Sequence, residues 1–232
     1  MKQIVRNPYF LYSVFIGITL IGILYGNYLS KTSNNLRIWG WENITWLFIA
    51  FPIIYLLPKV KLNFISEKKD SSFIKLLIPI LIGLSFGLLD LIIIETILPH
   101  PIHQSLPPYT QPFPYSIFLY FSGALEIEVF YRLIPITLVL ILASRIKNGS
   151  YLNQTFWIIA VLTAIREPLE QWPSGPTWFV FYAVVSGFAM NLIQAYYFKI
   201  NGFLTSLTIR LSHYFIWHIL NGIIISTNLT TT

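Results

Sequence analysis

The 232-residue chain contains no cysteine and little charge, since Lys, Arg, Asp and Glu together make up only 10% of it. Without cysteine, disulfide bonds, thiolate metal sites and thiol nucleophiles are all excluded. Hydrophobic residues make up 55% of the chain and the mean hydropathy is +0.66. This composition is foreign to soluble domains and typical of proteins that cross a membrane several times.

Seven apolar segments are candidates for membrane crossing, which takes roughly 20 helical residues for ~30 Å of hydrocarbon. They lie near residues 9–29, 44–58, 73–97, 115–144, 155–168, 175–199 and 202–227. The fifth is short and is expected to stop at Arg166-Glu167-Pro168. The polar stretches between the segments are too short for a separate domain. The sequence thus predicts an all-α polytopic transmembrane bundle of about seven spans, with residues 1–232 forming a single integral-membrane domain.

Lysine and arginine are concentrated in every second connection between these segments. These connections face the cytoplasm if the N-terminus is cytoplasmic. This bias predicts a cell-membrane protein with a cytoplasmic N-terminus and an external C-terminus. The net charge of +6 is then explained by topology and by contact with anionic membrane lipids. Nucleic acid is not an expected partner, because its binding would need a basic soluble domain.

The fourth segment carries Glu126, Glu128 and Arg132 within GALEIEVFYRLIP. A charge at the centre of a membrane helix costs about 2.5–3.5 kcal/mol on insertion scales, so each of these needs a partner or a purpose. Glu128 and Arg132 are four residues apart and share one helix face, where they can pair. Glu126 lies ~200° around the helix from Glu128. The pair is either a structural tie or part of a functional site.

The seventh segment contains four polar residues on an otherwise apolar helix, namely Arg210, His213, His218 and Asn221. Counted along the helices, Glu128, Arg132 and His213 fall near the middle of the membrane. A carboxylate, a guanidinium and an imidazole at one depth are the groups needed to activate a water molecule and stabilise an oxyanion. The alternative is that the histidines are hydrogen-bonded packing residues.

The string EVFYR, with a glutamate just upstream, resembles the EExxxR motif of the CAAX-protease and bacteriocin-processing family of intramembrane glutamic proteases. That family continues with an FxxxH motif and then an HxxxN motif on later helices, and the resemblance covers about residues 115–222. It implies an endopeptidase that cleaves a membrane-bound peptide or protein substrate. The catalytic residues implied are Glu126, Glu128, Arg132, His213, His218 and Asn221.

In the first motif the matching positions are Glu128 and Arg132, while Ile127 stands where the family has its first glutamate. Glu126 is one residue too early, and only a local π-bulge would bring it into register. We expect no cofactor and no metal ion, because His100 and His103 have no nearby carboxylate or cysteine to complete a site.

The other two motifs also depart from the family pattern. The second contains no histidine, and Arg166 stands at the expected spacing, followed by Glu167. In the third, His218 and Asn221 are one residue too close, and a count from the preceding turn places Arg210 at the histidine position. An arginine stays protonated and cannot act as a general base.

Two hypotheses therefore remain, with transport as a third. In one, a rebuilt site uses Glu128 or Glu126 as base with His213 or His218. In the other, the chain is a catalytically inactive relative that binds a peptide or lipid, and its arginines Arg132, Arg166 and Arg210 pair with Glu126, Glu128 and Glu167. Asp90 in the third segment would serve a small transporter as a proton or cation ligand, or else pair with an arginine.

Overall fold

The computed structural model describes residues 7–32, 36–66, 72–97 and 111–224. These residues form eight α-helices and no β-strand. The helices are α1 (Pro8–Leu29), α2 (Trp41–Leu56), α3 (Ser72–Ile92), α4 (Tyr115–Glu128), α5 (Ile134–Ser144), α6 (Leu152–Glu170), α7 (Thr177–Asn201) and α8 (Phe203–Tyr214). Short 3-10 helices lie at Leu57–Val60 and Lys147–Gly149. The prediction of an all-α fold is confirmed for this part of the chain.

Three π-helical turns directly continue α-helices within the described ranges. They are π1 (Ile93–Ile97) after α3, π2 (Val129–Leu133) between α4 and α5, and π3 (Phe215–Leu220) after α8. Such turns insert one residue into the helical repeat and are frequent at functional sites. Here each of them begins within three residues of a polar residue of an apolar helix: Asp90, Glu128 and His213 respectively.

Within the part of the chain that the structure describes, four helical stretches are long and apolar enough to cross a membrane, and a shorter apolar helix covers Leu76–Ile92. The four are Pro8–Leu29, Trp41–Val60, Tyr115–Ser144 and Thr177–Asn201. All seven apolar segments of the sequence are helical where described, but a count of seven spans stays a prediction. The fifth segment does not stop at Arg166-Glu167-Pro168, because α6 continues through Pro168 to Glu170.

The chain divides into two compact units, each made of non-consecutive segments. Unit 1 comprises Met1–Leu47, Ile80–Glu126 and Thr208–Thr232, and unit 2 comprises Phe48–Pro79 and Ile127–Leu207. The boundary within α4 assigns Glu126 to unit 1 and Glu128 to unit 2. That residues 1–232 act as a single membrane domain stays a prediction.

In unit 1, glycines allow the backbones of neighbouring helices to lie close together. A Cβ atom at Gly22 of α1 would lie 3.0 Å from the Cβ of Phe118 on α4. A Cβ at Gly83 of α3 would lie 2.1 Å from the carbonyl oxygen of Ile209 on α8. Small residues spaced four apart are a common means of packing membrane helices closely, and α3 carries a second glycine, Gly87, at that spacing.

In unit 2, the loop after the first 3-10 helix covers the beginning of α8. The N–H groups of Phe203 and Leu204 donate to the carbonyl oxygens of Asn63 and Phe64, both at 3.0 Å. These bonds satisfy N–H groups that have no partner within the helix. The preceding residue, Gly202, has φ +96°, and a Cβ there would lie 2.8 Å from the Asn63 oxygen. Glycine is therefore required at this turn.

Candidate functional site

Glu128 is the centre of a buried polar network in unit 2. Its Oε1 atom is 3.1 Å from Nη1 of Arg132 and accepts a hydrogen bond from Nε2 of Gln194 at 2.7 Å. Its Oε2 atom accepts from the hydroxyl of Ser206, also at 2.7 Å. The side chain is 0% exposed. Each carboxylate oxygen thus accepts a hydrogen bond from a neutral protein donor, and Oε1 also lies beside the charged guanidinium.

Arg132 connects Glu128 to two further helices of the unit. Its Nη2 atom donates to Oδ1 of Asn191 and, at 2.6 Å, to Oε1 of Gln194, both on α7. The same nitrogen is 3.7 Å from a carboxylate oxygen of Glu167 on α6. Arg132 and Glu167 are both buried. The pairing of Arg132 with Glu128, expected from their spacing, is present, and Glu167 is a second carboxylate partner.

The two amides fix the geometry of the ion pair. Gln194 accepts from Arg132 through its oxygen and donates to Glu128 through its nitrogen, so it bridges the two charges. Asn191 accepts from Arg132 and donates to the carbonyl oxygen of Ala164 at 3.2 Å, which ties the network to the backbone of α6. A buried network of directional hydrogen bonds such as this one favours one arrangement of the helices over others.

Sequence reasoning missed Asn191, Gln194 and Ser206. Asn191 and Gln194 are three residues apart on an apolar helix, the same spacing that drew attention to His218 and Asn221. The same spacing therefore predicts that Asn191 and Gln194 share a helix face, although no charged residue or histidine lies beside them. Ser206 gives no comparable signal, because a serine in the first turn of a helix is common for local reasons.

Arg166 and Glu170 form a second ion pair, at the exposed end of α6. Nε of Arg166 donates to Oε1 of Glu170 at 2.6 Å, and the hydroxyl of Tyr131 donates to the other carboxylate oxygen. The hydrogen bonds from Tyr131 and Arg166 lower the pKa of Glu170 below its ordinary value. The guanidinium also lies over the Phe130 ring, 4.9 Å from its centre. Arg166 is therefore engaged at the surface, with a partner that the sequence hypothesis did not name.

Glu126 belongs to unit 1 and accepts a hydrogen bond from the indole nitrogen of Trp39 at 2.6 Å. The expectation that it pairs with an arginine is replaced by this contact with a neutral donor. A π-bulge is present nearby, but it begins at Val129, after Glu128. Since Glu126 and Glu128 both lie in the regular part of α4, the bulge does not change their ~200° separation around the helix.

The polar residues of α8 and π3 make different contacts in unit 1. Nε2 of His213 is 2.7 Å from Oδ2 of Asp90 on α3. The His218 ring stacks on Tyr120, with 4.1 Å between ring centres and 4° between planes. Arg210 is buried, and its guanidinium lies 5.8 Å from the centre of the Tyr214 ring. Asn221 is buried too, and its backbone N–H closes π3 by bonding to the carbonyl oxygens of two preceding residues, Ile216 and His218.

These contacts assign different roles to the two histidines. His218 packs against aromatic rings, since a second ring, that of Tyr214, meets it edge-on at 4.8 Å. His213 faces a carboxylate, the arrangement that orients an imidazole for proton transfer. Asp90, considered from sequence as a transport ligand or an arginine partner, lies at hydrogen-bond distance from this histidine.

Among the described residues, no three His, Asp or Glu side chains are grouped so as to hold a metal ion. His100 and His103 lie outside the described residues. Comparisons with protein-family models, with curated proteins and with solved structures gave no match for the chain. What the site does must therefore be inferred from its geometry.

Proposed function

We propose that the chain is a membrane protein that binds a peptide or lipid within the bilayer without cleaving it, as a catalytically inactive relative of the glutamic intramembrane proteases. The observation that carries this proposal is the burial of Glu128 among protein partners. A carboxylate that activates water must be reached by that water. The side chain of Glu128 is 0% exposed, and its two oxygens meet Arg132, Gln194 and Ser206.

The residues at the other motif positions support the same proposal. Arg166, at the expected histidine position of the second motif, remains protonated and pairs with Glu170. His218, a candidate for the third motif, is stacked between aromatic rings. Glu126, the candidate for the first glutamate, is bound to Trp39. Each of these three side chains is engaged in a contact with neighbouring protein groups.

The proposed setting follows from the charge pattern of the sequence. The chain would cross the cell membrane about seven times, with its N-terminus in the cytoplasm and its C-terminus outside. Four helices with the required length and apolar composition are compatible with this setting. Membrane lipids are then the constant partners, a membrane-embedded peptide or lipid is the specific one, and nucleic acid has no place.

Intramembrane peptide hydrolysis is the second candidate, and one observation favours it. His213 is hydrogen-bonded to Asp90, and a carboxylate that orients an imidazole is a common way of preparing a general base. In that case the base would be His213, and Glu128 with Arg132 would hold the helices in place.

The experiment combines two readouts in the source organism. The N-termini of membrane proteins are compared between a deletion strain and strains restored with the native chain, with Glu128→Gln, and with the exposed control Glu170→Gln. Native mass spectrometry of the purified chain then detects any peptide or lipid retained with it. The proposal predicts identical N-termini in all strains and a bound species of defined mass.

Two results would overturn it. Cleaved N-termini that disappear on deletion and return with the native chain but not with Glu128→Gln would establish proteolysis. Identical N-termini together with a chain that carries no bound peptide or lipid would remove the binding function as well.

A further inference from the structure

Basic side chains are gathered at one end of unit 2, which we call the basic end. Lys199, close to the end of α7, donates to Oδ1 of Asn153 in the first turn of α6. The start of α8 is bound by the loop at residues 63–64. These contacts bring the end of α7, the starts of α6 and α8 and the adjoining connections together. The basic residues there are Lys59, Lys61, Arg145, Lys147 and Lys199.

None of these five side chains forms an ion pair with a carboxylate among the described residues. The three described glutamates of unit 2 have arginine partners elsewhere. Glu128 and Glu167 lie beside Arg132. Glu170 pairs with Arg166. The positive charge of the basic end is therefore uncompensated within the described part of the unit and attracts anions.

Two of the lysines are held against aromatic rings at the start of α6. Nζ of Lys199 lies 4.8 Å from the centres of both the Phe156 ring and the Trp157 ring. Nζ of Lys147 donates to the hydroxyl of Tyr151 at 3.3 Å and lies over the same ring. Amines and aromatic rings at the end of an apolar helix are typical of the depth at which lipid headgroups lie.

An exposed apolar face of α7 leads to Lys199. Phe181, Val185 and Tyr196 precede Lys199 on that helix, and the intervals of 4, 11 and 3 residues are close to whole helical turns. The three apolar side chains are 71%, 46% and 44% exposed. From Val185 to Lys199 the face is ~21 Å long at 1.5 Å per residue, which exceeds the depth of one leaflet, about 15 Å or half of the hydrocarbon core.

We propose that the basic end binds an anionic phospholipid, with its phosphate at Lys199 and an acyl chain along the exposed face of α7. An ammonium group has three donor hydrogens, and the bond to Asn153 uses one of those of Lys199. A phosphate oxygen accepts another, and Lys147 adds a second positive charge at the start of α6.

A lipid fits this site better than a soluble anion does. A soluble anion would use the lysines alone, whereas a phospholipid also covers the apolar face that ends at Lys199. The inference rests on the membrane setting of the proposed function. It concerns a site other than Glu128, and it holds whether the chain binds or cleaves its ligand.

The preference for an anionic lipid can be measured on the full chain in nanodiscs that contain equal amounts of phosphatidylcholine and phosphatidylglycerol. Native mass spectrometry then gives the ratio of the two lipids that stay bound to the chain. The native chain should retain an excess of phosphatidylglycerol. Lys199→Gln should lower that excess about fivefold, the effect of one lysine near an anionic membrane surface. The matched control Lys61→Gln removes an equal charge from an exposed position of the same end and should leave the ratio nearly unchanged.

A second readout locates the acyl chain. Since the chain has no cysteine, Val185→Cys on α7 and Leu162→Cys on α6, both at exposed positions, accept a fluorescent label without background. Phosphatidylglycerol with brominated acyl chains should quench the label at residue 185 more than brominated phosphatidylcholine does, and Lys199→Gln should remove the difference. Leu162 lies nine residues from Asn153 and therefore on the opposite side of α6, so the two lipids should quench its label equally.

Three results would overturn the inference. If the native chain retains the two lipids in equal amounts, the basic end selects no anionic lipid. If Lys61→Gln lowers the excess as much as Lys199→Gln does, the attraction is spread over the surface and there is no site. If an acidic peptide is retained in place of phosphatidylglycerol, the basic end serves another partner. All three leave the membrane setting intact, which would be contradicted only by a native chain that does not enter the nanodiscs.

Discussion

Replacing Arg132 by methionine should destabilise the chain far more than the same replacement at Arg166. Both arginines pair with a glutamate four residues away on one helix, which makes them a matched comparison. Arg132 is buried and contacts two carboxylates, so its removal leaves uncompensated buried charge and should cost about 3–5 kcal/mol. The exposed pair of Arg166 contributes ~0.2–1 kcal/mol, and its ring contacts add at most about 1 kcal/mol.

The measurement is equilibrium unfolding in mixed micelles, followed by the fluorescence of the seven tryptophans. Adding Glu128→Gln to Arg132→Met should recover part of the lost free energy, because one of the abandoned carboxylates is then neutral. Adding Glu170→Gln to Arg166→Met should recover nothing measurable. A cost at Arg132 no larger than that at Arg166 would show that the buried network does not stabilise unit 2, and the structural role of Glu128 would be refuted.

Two further predictions concern a turn and a surface carboxylate. Gly202→Ala should cost about 1–3 kcal/mol, because φ is +96° and the new Cβ would lie 2.8 Å from a backbone oxygen. The control is Gly123→Ala, which lies in a helix where nothing is within 4 Å of the new Cβ. In the same unfolding assay it should be neutral or stabilising by up to about 1 kcal/mol. If the two substitutions changed the free energy of unfolding equally, the strain at Gly202 would be contradicted. The lowered pKa of Glu170, caused by hydrogen bonds from Tyr131 and Arg166, means that its ionised form is favoured in the folded state. Its contribution, below ~1 kcal/mol for a side chain 44% exposed, is present above the ordinary carboxyl pKa of about 4.3 and is lost as the pH falls below it. The stability difference between native and Glu170→Gln should therefore shrink between about pH 6 and about pH 3, and a difference that grows on acidification would contradict the assigned hydrogen bonds.

The helices were predictable because their cause is local and repeated over many residues. An apolar run of sufficient length must satisfy its backbone groups internally in lipid, and the α-helix does this. The end of α6 was not predictable in the same way. Pro168 removes one N–H and usually ends a helix, yet α6 continues for two residues beyond it, and the proline packs against the Gly187 position of α7.

Contacts between helices were the part of the site that residue spacing within one helix could not predict. The pairing of Glu128 with Arg132 follows from their spacing on one helix, and it is present. The partner of His213 depends on which helix packs against α8, and spacing within α8 does not contain that information. The sequence GLSFG, followed by Asp90 on α3, was the available signal. Two glycines four residues apart favour a close contact with another helix, and Asp90 lies on the same face of α3.

The position of π2 decides how the two glutamates of α4 can act. A pair of carboxylates that share one water must lie on one face of the helix, and a bulge between Glu126 and Ile127 or Glu128 would bring them there. The observed turn begins only at Val129, so Glu126 and Glu128 keep the ~200° separation of a regular helix. Each then meets its own donors, Trp39 in one case and a guanidinium, an amide and a hydroxyl in the other. Two carboxylates held apart in this way are each stabilised by their own partners in an otherwise apolar helix.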